Sequence, residues 1–408
     1  MKRKYFLTIL IQIIISVCIC FGQTAYITNN TDNTVTVINV ATDTVTAVIP
    51  LGHPPFGVSV SSDGSKVYIA NWNTVSIINT STNTVSDVII GGYDLYCISV
   101  SPDGSKVYVG ASGDTVVRVL NTLTNNVTDT IPVGHNPYGI CVTPDGSKVY
   151  AANVYSSTLS VINTITNSVS GTIPTSSGPW GVSVSPDGSE VYVGNEYTNT
   201  VSVISTASNT ILNAIPVGAG PSGLAVSPDG TSVYVANIHD NTVSVINTVG
   251  DTVSATISVG SQPYGISVSP DGSKLYVANF NNGNAGTISV INTTTNNVSA
   301  TISVGNGPMA FGNFISPYIQ TSSTGVGSQN IESKNISVFP NPTSGQFTIT
   351  LPTDNIDVSI VNILGQCVLK TKTTQQITRM QLDDNGIYFI YIKTKQGTTA
   401  QKLIVNMY

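Results

Sequence analysis

The chain has 408 residues, enough for more than one domain. Only 9% are charged, with 21 acids against 15 bases and a net charge of −6, far below the roughly 25% of ordinary soluble domains. The apolar residues sit in short alternating runs, which excludes a disordered chain or a helical membrane protein, and the acidic excess sets aside nucleic acid, whose binding needs Lys and Arg to displace counterions.

The chain opens on the basic stretch MKRK, and residues 5–20 form an apolar run broken only by Thr8, Gln12 and Ser16. That run is short for a bilayer, which wants about 20 residues. Cys20-Phe21-Gly22 places small residues where a signal peptidase reads. Residues 1–22 are therefore expected to be an export signal, with Gln23 as the mature start and no transmembrane span after cleavage. Cys97, Cys141 and Cys367 then remain. An odd, sparse set is no disulfide framework, so they are expected to be small buried hydrophobes.

From there a unit repeats. The strings S-x-D-G and T-P-D-G place an Asp at 63, 103, 145, 187, 229 and 271, with spacings of 40, 42, 42, 42 and 42. Around Asp187 the unit reads as WGVSVS, the turn PDGSE, then EVYVGN, TVSVIS and TILNAIPV: four strands alternating with period two. Four strands in about 42 residues is the pattern of a propeller blade. The second strand occurs seven times, as AYITN, VYIAN, VYVGA, VYAAN, VYVGN, VYVAN and LYVAN. The first copy lacks a strand before it, and the last is followed by a surplus strand, FGNFIS, at 311–316. The chain's end is expected to supply the inner strand of the blade its beginning started, which removes the exposed edges. The fold expected is all-β: a seven-bladed β-propeller over 23–317, then a small immunoglobulin-like β-sandwich. The motifs VYVAN, SPDGSKVYV and TVSVINT resemble the YVTN β-propeller family of exported and surface-layer proteins. That resemblance implies a scaffold and no particular activity.

Within the repeat, the turn Asp residues are accounted for as caps, and Lys66, Lys106, Lys148 and Lys274 share one position, expected on a solvated rim. The residue seven before the turn Asp is Phe56, Tyr96, Tyr138, Trp180, Ser222 and Tyr264, with Met309 in the last copy. Sevenfold symmetry would set these side chains in a ring at one channel mouth. Asn153, Asn195 and Asn237 end the second strand on that face, and loops carrying Trp72, Glu196-Tyr197 and His239-Asp240 differ between copies. Aromatics beside amides suit a glycan, a peptide or a matrix component. Phe56, Tyr96, Tyr138, Trp180, Tyr264, Trp72, Asn153, Asn195 and Asn237 are therefore the candidate ligand face. No catalytic residue, metal site or cofactor is expected, because residues 23–317 hold one Arg and two Glu and no C-x-x-C-H or G-x-S-x-G. A non-catalytic binding scaffold is the reading preferred over a structural surface coat or a propeller hydrolase or lactonase.

Residues 318–335 are polar and read as a flexible linker. The 42-residue repeat is gone after it, and Gly, Pro and Asp/Asn turns separate new alternating strands. Pro340, Asn341, Pro342, Gly345, Gly386, Tyr388 and Lys402, with the terminal KLIV, resemble the type A sorting domain of type IX secretion. Over 336–408 this implies the type IX machinery as a partner and an extracellular or outer-surface destination.

Overall fold

The computed structural model describes residues 23–317 and, further on, the strands between 337 and 405. The expected export signal, the linker and Pro340, Asn341 and Pro342 lie outside the described residues. The described residues fall into two compact units, one within Gly22–Ile319 and the other within Gln320–Tyr408.

In the first unit, six antiparallel sheets of four strands follow one another over 55–90, 95–132, 137–174, 179–216, 221–258 and 263–306, here blades 1 to 6. Blade 7 holds Thr24–Asn29, Thr34–Asn39 and Thr44–Pro50. Its inner edge is completed by the chain's far end. Ala25 pairs with Ile315 and Asn29 with Pro308. The Tyr26 amide donates to the Phe314 carbonyl at 2.9 Å, and the Ser316 amide to the Thr24 carbonyl at 2.8 Å. The ring is a closed seven-bladed propeller, as the two incomplete ends implied.

Local chemistry explains each blade. After the inner strand, the turn Asp accepts from its neighbours; Asp187 takes the Ser185 hydroxyl at 2.6 Å and the Ser189 amide at 3.0 Å. Before every outer strand stands an Asn or Asp at positive φ, between 46° and 54° (Asp43, Asn83, Asn125, Asn167, Asn209, Asp251 and Asn296). These are the residues that tolerate the left-handed region at least cost after glycine, which accounts for much of the chain's amide content.

The core lies between blades. The second-strand tyrosines Tyr26, Tyr68, Tyr108, Tyr150, Tyr192, Tyr234 and Tyr276 are at most 3% exposed. Each packs with the valines and isoleucines of its own blade against the next blade. Burying one such large side chain contributes about 1.5–3 kcal/mol, so the interfaces stabilise the ring. At the axis, glycine lets inner strands approach: a Cβ on Gly139 would sit 1.9 Å from the Trp180 carbonyl oxygen.

The lysines depart from expectation. They do not form a solvated rim but reach across blade boundaries. Lys106 Nζ donates to the Thr164 carbonyl and Lys148 Nζ to the Thr206 carbonyl, both at 2.6 Å. Lys66 reaches Thr122 at 3.4 Å, and Lys274 reaches Val40 and Asp43 at 2.8 Å. A long apolar stem ending in an ammonium suits this role, because each blade's turn leaves carbonyls facing its neighbour.

The second unit is a small β-sandwich. Ser337–Phe339, Gln346–Thr350 and Ile377–Gln381 form one sheet; Cys367–Thr373, Ile356–Asn362, Gly386–Thr394 and Gly397–Val405 form the other, in that order. Phe347, Ile349 and Met380 of the first pack with Val358, Ile360, Tyr388, Ile390 and Leu403 of the second.

Candidate functional site

The inner strands begin at one mouth of the channel, and the expected aromatic residues meet there. They do not ring an open hole. Tyr96 stacks on Tyr138 with centroids 4.2 Å apart, Phe56 lies 5.0 Å from Tyr96, and Tyr138 lies 5.3 Å from Trp180. Phe311 sits among them, 5.5 Å from Tyr96, 5.7 Å from Tyr264 and 6.3 Å from Trp180. Tyr96, Met309 and Phe311 are buried; Phe56, Tyr138, Trp180 and Tyr264 are half-buried. The channel is plugged here, above a void of about 40 Å³.

Phe311 owes its place to a length difference. In blade 1, Pro55 pairs with Asn71 and Val60 with Val67. The equivalent partners in blade 7, Asn29 and Ala25, face Pro308 and Ile315. Two additional residues must fit between those pairings, and the excess, with Ala310 and Gly312 at positive φ, throws Phe311 onto the axis.

The candidate amides are in a different place from the one expected. Asn153, Asn195 and Asn237 are 0% exposed. Each donates from Nδ2 to a Thr and a Ser hydroxyl of the adjoining third strand, as Asn153 does to Thr158 at 3.1 Å and Ser160 at 2.9 Å. Their period of two along the strand aims them into the blade, so they tie strands together and are withdrawn from any ligand.

What stands open are the loops of this mouth, those that follow the second strands and those that lead into the inner strands. Trp72 is 42% exposed, Tyr93 56%, Tyr155 69% and Tyr197 59%. Trp72 joins the plug to the rim, 6.4 Å from Phe56 and 5.9 Å edge-on to Tyr93. The residue after the buried amide is Trp72, Val154, Ile238 and Phe280 in blades 1, 3, 5 and 6, but Glu196 in blade 4. Burial holds the Glu196 carboxyl above the usual range, and His239 Nε2, 3.9 Å from Oε1, opposes that only in part. The neighbouring inner-strand position in blade 5 is the small, buried Ser222, whose hydroxyl donates to backbone carbonyls. Trp180 and Tyr264 therefore meet directly across it, at 6.3 Å.

The opposite mouth opens into a cavity of about 550 Å³. Its walls are Ser59, Ser99, Ser183 and Ser267 with the valines and prolines that follow, and it carries no Asp, Glu, His, Lys or Arg. Cys141 lines it, and burial raises its thiol strongly, as it pushes the Cys97 thiol up to about 12. Neither thiol supplies a thiolate near neutral pH. Among the described residues no three His, Cys, Asp or Glu gather as metal ligands would.

Comparison with known proteins agrees with this architecture. A family model described as a seven-bladed β-propeller lactonase matches residues 162–310, less than half of the chain. A second, the secretion system C-terminal sorting domain, matches residues 337–406. An ulvan lyase of Nonlabens ulvanivorans is 39% identical over 95 residues, a stretch that is 22% of this chain and 17% of that protein. Among solved structures, hydrazine synthase of Kuenenia stuttgartiensis is similar over 63% of this chain and 87% of its own, with a TM-score of 0.55 at 23% identity. A protein of unknown function from Desulfotomaculum acetoxidans is similar over 71% of this chain and 100% of its own, with a TM-score of 0.62 at 18% identity. At such identities the structural likeness establishes the fold alone. Blade count, ring closure and the C-terminal match together make this an all-β protein in which a seven-bladed propeller precedes a secretion system C-terminal sorting domain, carried by type IX secretion to the cell surface or the extracellular space.

Proposed function

We propose that the propeller is a non-catalytic binding module displayed outside the cell, which takes an extended glycan across its aromatic mouth. The observation that carries this reading is the continuous aromatic surface from the plug through Phe56 to Trp72 and Tyr93, with Tyr155 and Tyr197 standing open on the same face. Flat, exposed rings stack on the apolar faces of sugars. Their loops differ in every blade, so the face can be selective although the scaffold repeats. The opposite cavity has no acid or base to act on a substrate.

Trp72→Ala and Tyr197→Ala are the variants that test it. Their side chains are exposed, so melting should change by no more than about 1–2 °C, as for surface positions. Binding on a glycan array should fall at least tenfold. Trp180→Ala would not separate binding from packing, because Trp180 is half-buried against Phe311, Tyr138 and Tyr264. No glycan bound by the unaltered protein would sink the reading and favour a structural coat.

A hydrolytic reading is favoured by the match to the lactonase model and by the Glu196–His239 pair. It requires turnover of a lactone or ester panel that His239→Ala abolishes.

A further inference from the structure

The aromatic mouth contains one acid that the rest of the molecule satisfies only in part. Five acids belong to the loops of this face: Asp32, Asp94, Asp114, Glu196 and Asp240. Four have partners. Asp32 accepts from the Asn306 amide and side chain, Asp94 from the Ser112 hydroxyl, Asp114 from Arg118 at 2.8 Å, and Asp240 from the Ala219 amide at 2.6 Å. Glu196 Oε2 is buried and finds no hydrogen-bond partner among the described residues, while Oε1 has only the largely exposed His239 Nε2 at 3.9 Å. Its side chain is only 12% exposed.

A buried carboxylate oxygen without a hydrogen bond costs free energy that packing does not return. Buried amide oxygens also lack partners, but those stand at positions that recur from blade to blade and belong to the scaffold. Glu196 occurs once, where three other blades place Val154, Ile238 and Phe280. Trp180 Nε1, in the same blade, is likewise buried and unpartnered. Beside Glu196 lie the rings of Tyr197 and Tyr264, whose hydroxyls are raised first by burial and then by the charge of Glu196. No Lys belongs to these loops, and Arg118 is tied to Asp114. A partly desolvated carboxylate among aromatic faces, with the solvent-exposed imidazole of His239 as its only basic neighbour among the described residues, is the chemistry that holds an ammonium.

We infer that Glu196, with the Trp180 and Tyr264 rings, anchors the ammonium of an amino sugar in a glucosamine-containing oligosaccharide. The inference rests on the proposed glycan-binding role of this face and names its ligand class. A pyranose fits better than a lysine side chain because the plug fills the mouth. Beside it the exposed rings of Tyr155 and Tyr197 offer flat faces on which a sugar can lie. The carboxylate would pair with the amine while the sugar lies on the rings.

The test is calorimetric titration of the full chain at pH 6 with a β-1,4-glucosamine hexamer, its fully N-acetylated form, a neutral glucose hexamer and a lysine-rich peptide. Each is repeated with Glu196→Gln, an isostere that removes the charge. The expected result is binding of the glucosamine hexamer at least tenfold tighter than either other hexamer, a preference that Glu196→Gln abolishes without lowering the melting temperature. Equal binding of all three hexamers, indifferent to Glu196→Gln, would overturn the inference and leave the glycan-binding role intact. Glu196-dependent binding of the peptide alone would overturn the sugar assignment. No binding of any oligosaccharide would remove both.

Discussion

The turn aspartates are the residues whose role is repeated most faithfully. Asp103, Asp145, Asp187 and Asp229 are held below the usual carboxylate range first by a hydroxyl two residues earlier, and then by the amide and hydroxyl two residues later. Asp63 and Asp271 are also lowered, although burial is the largest influence on them and acts in the opposite direction. A carboxyl depressed by folding stabilises the protein fully above its unfolded value, about 4. That contribution is lost as pH falls through the lower folded value. Asp187→Ala should therefore cost about 1 kcal/mol near pH 7, through lost hydrogen bonds at an exposed turn. Melting curves from pH 7 down to 2 should show the gap between variant and parent closing below about pH 4. A gap that persists at pH 2 would assign the effect to backbone conformation instead of the charge. Glu196 has the opposite sign. Its raised carboxyl destabilises the charged protein, so Glu196→Gln should melt no lower than the parent near neutral pH.

The blade is the element on which stability depends, and its weakest member should be the one assembled from both ends of the chain. Phe314 is 0% and Ile315 1% exposed, within a cluster that includes Tyr26, Ile27 and Val58. Ile315→Asp would put an unpaired charge into that core, a change of the kind that costs roughly 4 kcal/mol or more. The propeller's melting temperature should fall by roughly 10 °C. An unchanged transition would mean that the ring does not rely on this closure. Neighbouring blades also show compensation. Cys97 occupies the inner-strand position that is Gly in blades 1, 3, 4, 5 and 6, and its Sγ donates to the Pro137 carbonyl at 3.3 Å. Opposite it, Gly110 replaces the Ala of blades 1, 3, 5 and 6, where a Cβ would lie 2.4 Å from that sulfur. The larger residue is accommodated by a smaller partner in the same blade.

At the scale of the molecule, export and the proposed recognition belong to different units of the chain. The sandwich has its own core and its own two sheets, and the propeller closes on itself without it. Removing residues 337–406 should leave the propeller's melting transition unchanged and hold the protein inside the outer membrane. In a host with type IX secretion, fractionation should then find it in the periplasm and not outside. Continued appearance at the surface would show that the sorting domain is dispensable for this cargo.

Much of this was written in the chain. The 42-residue spacing of the turn Asp, the strand alternation, the surplus FGNFIS and the C-terminal motif all encode local register or short-range turn geometry. One strand's pattern therefore revealed the blade, and counting blades revealed the ring. The side chains that meet across blades could not be read that way. Periodicity placed Phe56, Tyr96, Tyr138, Trp180 and Tyr264 at one mouth, but ring curvature decided that they meet and plug it. A two-residue excess before Ile315 decided that Phe311 fills the axis. Strand register turned Asn153, Asn195 and Asn237 inward, and blade spacing turned the lysines into staples. Glu196 could be noticed as an exception to the repeat, but only the packed structure buries its carboxyl with one oxygen left without a hydrogen bond, because burial is a property of what surrounds a residue and not of its place in the sequence.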